Sequence, residues 1–322
     1  MICLGIESTA HTFGVGIVNS KGEILANIKD MYLPPKGWGI DPTKAKEHHI
    51  KLADKIIDDA LKKAGIKKPD LLAYSAGPGL PPTLLVGLKK IKELGLKWNI
   101  KIVPVCHCVA HIEIGRLITK FRDPVMLYVS GGNTQVIAFE NGKYRVFGET
   151  EDIGLGNLFD SFGRTAGINF PAGPEIEKLA KESDKYIELP YSVKGMDVAF
   201  SGMQTKIKQL LKTEKIENLC NSLQETAFAM LVEITERAMA HTGKNELILT
   251  GGVAANKRLQ EMCRIMCEER GAKFKPIPIE LAGDQGAMIA WNGLLAKTLS
   301  KKRGLDIYPK WRTDEVDIIW RQ

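Results

Sequence analysis

One pattern occurs twice in this chain and limits its fold more than any single motif. Near the N-terminus, Ile2 to Ile6 is an apolar run, Glu7 to Thr12 a polar turn and Gly14 to Val18 a second apolar run. Ser20-Lys21-Gly22 then turns the chain into a third strand beginning at Glu23. Roughly 120 residues later the order returns: apolar Val125 to Val129, polar Ser130 to Thr134, apolar Gln135 to Phe139, a hairpin signal at Asn141-Gly142, and Tyr144 to Phe147. Helical patterns follow each copy. Thr43 to Lys63 carries Ala53, Ile56, Ile57, Ala60 and Leu61 at i, i+3, i+4 spacing, and Gly65 closes it. Ile216 to His241 carries the stripe Leu219, Leu223, Phe228, Leu231, Ile234 and Ala238. Glu246 to Thr250 reads as a strand, and a further helix opens at Ala254. A strand–turn–strand–turn–strand unit followed by helices, present twice, predicts a duplicated α/β unit. A length of 322 residues leaves room for two domains of ordinary size.

Composition excludes several classes. With 44% hydrophobic and 26% charged residues, the chain is neither disordered nor collagen-like. No apolar run approaches the roughly 18 residues of a membrane span, and Met1 to Gly5 reads as a strand, not a signal peptide. Six cysteines with no export signal are expected to be free thiols in a reducing cytoplasm, with no membrane partner. The net charge of +7 permits a polyanionic partner without establishing one.

Three glycine-rich turns each follow a strand: SAGPGL from Ser75, Ser130-Gly131-Gly132-Asn133-Thr134, and TGGVAAN from Thr250. Such turns serve plain chain reversal or let backbone N–H groups approach phosphate, and their number here favours phosphate. None matches the P-loop or the G-x-G-x-x-G pattern. Pro34 to Gly39 reads as a rigid exposed loop. In Cys106-His107-Cys108-Val109-Ala110-His111 the two His are four apart, so on a helix they share a face and can bind one metal; the alternative is a chance pair. Asp284, ahead of an apolar helix, is a carboxylate able to complete that site. Cys108 occupies the place where a zinc protease of the HExxH type needs its base. Between Leu84 and Arg122 lie Lys89, Lys90, Lys92, Lys97, Lys101, Arg116, Lys120 and Arg122, opposed by Glu93 and Glu113. This cluster reads either as solvated helix faces or as a phosphate-backbone surface near the His pair.

In order and spacing these motifs resemble, almost end to end, the universal tRNA threonylcarbamoyladenosine synthase family (TsaD and the archaeal/eukaryotic KEOPS catalytic subunit). The resemblance is carried by Gly5-Ile6-Glu7-Ser8-Thr9-Ala10-His11-Thr12, Glu47-His48-His49, SAGPGL from Ser75 and His107 to Arg116. It continues through Tyr128 to Gln135, Gly148-Glu149-Thr150, Lys194 to Gly202, TGGVAAN from Thr250 and Gly283-Asp284. It implies an actin/Hsp70-like ATPase fold: two RNase H-like domains with a nucleotide cleft between them. On the repeat, residues 1–123 plus about 286–322 are expected to form the first domain and 124–285 the second.

The implied activity is transfer of threonylcarbamoyl from threonylcarbamoyl-AMP to the exocyclic amine of the adenosine 3′ of the anticodon, in tRNAs reading A-starting codons. By resemblance, His107, His111, Tyr128 and Asp284 hold one metal ion, iron or zinc. Tyr128, Val129, Ser130, Gly131 and Gly132 cradle the phosphate and acyl part of threonylcarbamoyl-AMP or an ATP-type nucleotide, Asp160, Gly173 and Glu177 hold its ribose and base, and Asn256 also contacts the nucleotide. No covalent nucleophile is assigned. Implied partners are tRNA, a small protein kinase subunit and a dimerisation subunit of a KEOPS-type complex. The chain departs from the family pattern at Ala76 (usually Gln), Cys106 (Asn), Gly163 (Ala), Ala172 (Gly) and Gln285 (Asn). Two other classes account for parts of the pattern: a metalloprotease of the glycoprotease type, and an ATP-dependent switch without enzymatic product.

Overall fold

The computed structural model describes residues 1–35, 38–298 and 304–321. Lys36 and Gly37, inside the loop expected to be rigid and exposed, lie outside the described residues, as do residues 299–303 and 322 of the segment assigned to the first domain; Trp38 is 68% exposed.

The first sheet begins with β1 (Ile2–Glu7), β2 (Thr12–Asn19) and β3 (Ile24–Met31), paired antiparallel in turn. Helix α1 (Pro42–Ala64) follows. Its start is fixed by Asp41, whose side chain accepts hydrogen bonds from the Thr43 and Lys44 amides at 2.8 and 3.2 Å, and its end by Gly65 at φ 66°. Then come β4 (Leu71–Gly77), α2 (Pro81–Trp98), β5 (Ile102–Cys106) and α3 (His107–Thr119). Strands β4 and β5 are parallel to β1, giving the order β3-β2-β1-β4-β5.

The second half repeats this plan. Strands β6 (Val125–Val129), β7 (Thr134–Glu140) and β8 (Lys143–Glu149) form an antiparallel meander. Helices α4 (Leu155–Ala166) and α5 (Gly173–Ala180) come next, then the short pair β9 (Val193–Lys194) and β10 (Asp197–Val198), then α6 (Ser201–Leu210) and α7 (Ile216–Thr242). β11 (Glu246–Thr250), α8 (Lys257–Glu269), β12 (Lys273–Pro276), α9 (Ile279–Ala282) and α10 (Gly286–Leu295) follow. β11 lies parallel to both β6 and β12, so the order β12-β11-β6-β7-β8 is the first sheet read from its other edge. Helix α8 starts at Lys257, not Ala254 as the sequence suggests. Gly252–Ala255 is a 3-10 turn, and the Asn256 side chain caps the helix by accepting from the Arg258 and Leu259 amides.

Strand alternation sorts the packing. In the first sheet Leu4, Ile6, Leu72 and Tyr74 join a core with α1 and α2, whereas Cys3, Leu71 and Ala73 join α10 and Ala110 and Ile114 of α3. The α10 backbone lies directly on the sheet: a Cβ built at Gly5 or Gly16 would come within 2.2 or 2.0 Å of the Ala290 or Ala287 amide nitrogen. In the second sheet Val125, Leu127 and Val129 face α4, α5, α7 and α8, and Met126 and Tyr128 face the other way, sharing a core with Cys108, Val109 and Ile112 of α3. Helix α3 therefore lies between the two sheets.

This arrangement divides the basic stretch from Leu84 to Arg122. The α2 lysines lie on one face of the first sheet, and α3 packs with α10 on the other. Lys90 is paired with Asp54 and Glu93, and Arg116 with Glu113. The basic stretch is thus carried by helices on opposite faces of the first sheet.

The C-terminal segment ties the halves together. The Tyr308 amide donates to the Ala76 carbonyl at the end of β4, and the Ile318 amide donates to Gly142 in the β7–β8 turn at 2.9 Å. Arg312 reaches Glu149 at 3.3 Å.

Candidate metal and nucleotide site

Helix α3 grows directly out of β5, so His107 and His111 emerge on one helical face at the carboxyl end of the first sheet. Asp284 comes from the loop between α9 and α10, which is held near the end of β11 by the Gly251 amide donating to the Ala282 carbonyl at 3.0 Å. One Asp284 carboxylate oxygen lies 3.4 Å from His107 Nε2 and 3.3 Å from His111 Nε2. The three donor atoms all fall within 4.8 Å of one another. Tyr128, at the end of β6, brings its hydroxyl 3.4 Å from His107 Nε2.

Two residues that the sequence reading did not single out complete the arrangement. Glu7 at the end of β1 is fully buried, and its carboxylate accepts from His107 Nδ1 at 2.9 Å. The Thr9 amide and hydroxyl hold the other Glu7 oxygen at 2.7 and 2.6 Å. With Nδ1 as donor, the Nε2 lone pair points toward Asp284 and Tyr128, the usual carboxylate–histidine orientation of a metal ligand. In the repeat, Glu7 ends β1 where Val129 ends β6, so the polar residue stands where the second copy has an apolar one.

The electrostatics suit a cation. Burial opposes charge on His107, but the Glu7 and Asp284 carboxylates outweigh it and push the imidazole up to about 9. Burial, with the charge of His107, pushes His111 down. Asp284 falls below the usual carboxylate range because the two imidazoles outweigh its burial. Burial raises the Tyr128 phenol well above its ordinary value. His111 Nδ1 is buried without a hydrogen-bond partner. Two imidazoles, a carboxylate and a phenol converging in this way fit a metal ion.

Beside these groups lies a concave wall. The Ser130 amide bonds to the Asn133 carbonyl at 2.7 Å, closing the turn after β6. The start of α4 lies on that turn, with the Gly156 and Asn157 amides donating to the Ser130 and Gly131 carbonyls; a Cβ at Gly154 or Gly156 would strike its backbone at 2.4 or 2.7 Å. Gly251, at φ 96°, passes so close to β6 that a Cβ would come within 2.2 Å of the Val129 carbonyl oxygen. In contrast, a Cβ at Gly132, Gly252 or Gly283 would meet no atom within 4 Å, so these glycines face open space. Asp160 accepts from the Ala172 amide at 2.8 Å, joining α4 to the start of α5 at Gly173, and burial raises its carboxyl. Glu177 accepts from the Lys257 amide at 3.1 Å. The side chain of Asn256, expected to meet the nucleotide, is engaged in capping α8 and in a bond to Gln224. Across the cleft, the His11 ring meets Phe170 edge to face at 6.0 Å.

Two of the departures from the family pattern are one. A Cβ at Gly163 would come within 2.4 Å of the Ala172 Cβ, so the methyl usual at the first position has its counterpart at the second. Gln285 caps α10 by accepting from the Met288 amide at 3.0 Å. Ala76 is a buried core residue. All six cysteines are free and buried.

Two lobes of one topology, with an open glycine-lined wall and a cluster able to hold a metal at their junction, define a protein of the actin/Hsp70-like ATPase fold. Solved structures agree on the fold: full-length HypF in a phosphate- and nucleotide-bound form aligns over 95% of this chain and 56% of its own at TM-score 0.64 and 12% identity. Component A of the (R)-2-hydroxyglutaryl-CoA dehydratase of Acidaminococcus fermentans aligns over 94% of this chain and all of its own at TM-score 0.56 and 15% identity. More particularly, the chain belongs to the tRNA N6-adenosine threonylcarbamoyltransferase family, which matches residues 22–291. The enzyme of that name from Thermococcus kodakarensis is 53% identical over 327 residues, covering 99% of this chain and 100% of its own. A probable bifunctional tRNA threonylcarbamoyladenosine biosynthesis protein of Methanocaldococcus jannaschii is 51% identical over 99% of this chain and 60% of its own.

Proposed function

We propose that this protein transfers a threonylcarbamoyl group from threonylcarbamoyl-AMP to the exocyclic amine of the adenosine 3′ of the anticodon, in tRNAs reading codons that begin with A. Family membership supports the reading, and one observation carries it. His107, His111, Tyr128 and Asp284, drawn from both lobes, converge at the mouth of the glycine-lined wall, where the acyl end of such a donor would lie.

An adenine amine is a weak nucleophile because its lone pair is delocalised into the ring, so the rate must come from the acyl donor and its placement. The donor is a mixed anhydride with AMP as leaving group, and no covalent enzyme nucleophile is needed. Iron or zinc, held by His107, His111, Asp284 and the Tyr128 oxygen, would supply Lewis-acid polarisation of the donor's oxygens. Glu7 keeps the His107 proton on Nδ1 and the ring oriented. With the Ser130 amide held by Asn133, the Gly131 and Gly132 N–H groups of the turn after β6 would stabilise charge on the departing phosphate. Asp160, Gly173 and Glu177 would fix the ribose and base, with Asn256 holding the α8 end of that wall. Cys108, in the position where a zinc protease needs its base, is a buried thiol raised well above its ordinary value by its bond with Cys106 and by burial.

In this reading residues 1–123 with about 286–322 act as one domain and 124–285 as the other, with tRNA entering at their junction. The protein would work in the cytoplasm with a kinase subunit and a dimerisation subunit of KEOPS type. No helix among the described residues is long and apolar enough to cross a membrane. The test is nucleoside mass spectrometry of tRNA incubated with the protein, these partners and threonylcarbamoyl-AMP, with and without a chelator. Threonylcarbamoyladenosine that the chelator abolishes is expected; its absence from every reaction would overturn the reading.

A further inference from the structure

We propose that Glu113 is a positioning residue for the metal ligands, registering helix α3 against the second lobe through Tyr144 and Trp320. The proposal rests on the metal site described above and adds to it a residue that touches none of the donor atoms.

Glu113 is a buried carboxylate on the metal helix, and every bond it makes leads to a different part of the molecule. One oxygen accepts from the Tyr144 hydroxyl of β8 at 2.6 Å and from Trp320 Nε1 of the C-terminal segment at 2.8 Å. The other accepts from Arg116, one turn along α3, at 2.8 Å. The charged groups around this junction each have partners, though Arg116 Nε and Arg321 Nη1 are buried without a hydrogen bond. Arg116 also donates to the Arg122 carbonyl, and the Arg321 guanidinium lies 3.9 Å over the Phe139 ring and 5.5 Å from that of Tyr144 while pairing with Asp123. Lys244 pairs with Asp123 from the far side.

The geometry gives the junction a consequence at the site. Beyond the apolar packing of Cys108, Val109 and Ile112 on Met126 and Tyr128, polar side chains of helix α3 meet the second sheet at two places: His107 beside Tyr128 of β6, and Glu113 bonded to Tyr144 of β8. Six residues separate them on α3, about 9 Å along the axis at 1.5 Å per residue. Apolar packing is non-directional and tolerates small slides and rolls of a helix on a sheet, whereas two separated directional contacts restrict both motions. The position of the imidazoles relative to Tyr128 and Asp284 is thereby set in part at Glu113, and metal ligands tolerate little displacement.

The test uses the full chain loaded with Co(II), whose visible absorption reports coordination geometry. In Glu113→Gln, Co(II) affinity should fall about tenfold, the lower end of what losing an orienting hydrogen bond costs a metal site, and the visible bands should shift. In the milder Tyr144→Phe variant, which keeps the ring and removes one donor, the same bands should shift with a smaller loss of affinity. Both measurements are made well below the melting temperature of each variant, so a merely structural role would lower that temperature and leave spectrum and affinity as in the wild type. That result in Tyr144→Phe and Glu113→Gln would overturn the proposal. A wild-type chain that takes up no Co(II) would overturn the metal reading and this inference with it.

Discussion

Glu7 and His49 are both buried, and both tie a titratable pair to the start of the chain, yet they lead to different measurements. Glu7 orients His107, so Glu7→Gln should lower metal affinity by roughly 10- to 100-fold, measured by competition with a chromophoric chelator. His49 is buried in α1 with Nε2 donating to the Ala10 carbonyl at 3.0 Å, and burial pushes its imidazole down to about 4. The unfolded chain takes up that proton near 6.5, so the folded state is favoured above about 6.5 and loses this advantage as pH falls toward 4. The loss amounts to as much as about 3 kcal/mol. Urea unfolding from pH 7 to 4 should show a shallower decline in His49→Gln, which keeps a donor to Ala10 without the charge; parallel declines would refute this. The spacing of His107 and His111 predicts a shared helix face, which the structure has, while leaving a chance pair open. Glu7 was not legible, because nothing in the local sequence says that a carboxylate ending a strand will face a histidine 100 residues away.

Helix α4 and the turn into α5 carry the paired departure at Gly163 and Ala172. Gly163→Ala alone forces two methyl groups together and should destabilise the protein by about 1–3 kcal/mol. Adding Ala172→Gly should restore most of the loss, giving a large coupling in a double-mutant cycle measured by chemical unfolding. At this scale the sequence was a good guide where period and caps agreed. β6 and β11 fall where the apolar runs placed them, and α1 ends at Gly65 as expected. It misjudged the start of α8 because Val253, Ala254 and Ala255 fit a helix by composition, while the Asn256 cap decides the boundary.

Across the whole molecule, the repeated motif foretold the duplicated topology. It did not foretell which side of a sheet each helix covers, since β4 and β5 join β1 only through long-range parallel pairing. That gap matters for the basic stretch from Leu84 to Arg122, whose α2 lysines and His pair sit on different helices. The α2 lysines lie across the first sheet from the metal helix, so replacing Lys89, Lys92 and Lys97 with Gln should leave the salt dependence of tRNA binding to this chain unchanged. A slope reduced by two or more would show that α2 meets the phosphate backbone. The Asp284 contact with His111 closes across 173 residues of chain. At roughly 5–20 residues per second, a ribosome needs about 10–35 s to travel that distance. Through this interval the emerging histidine pair lacks its carboxylate partner, so the cluster stays incomplete until Asp284 itself has been made.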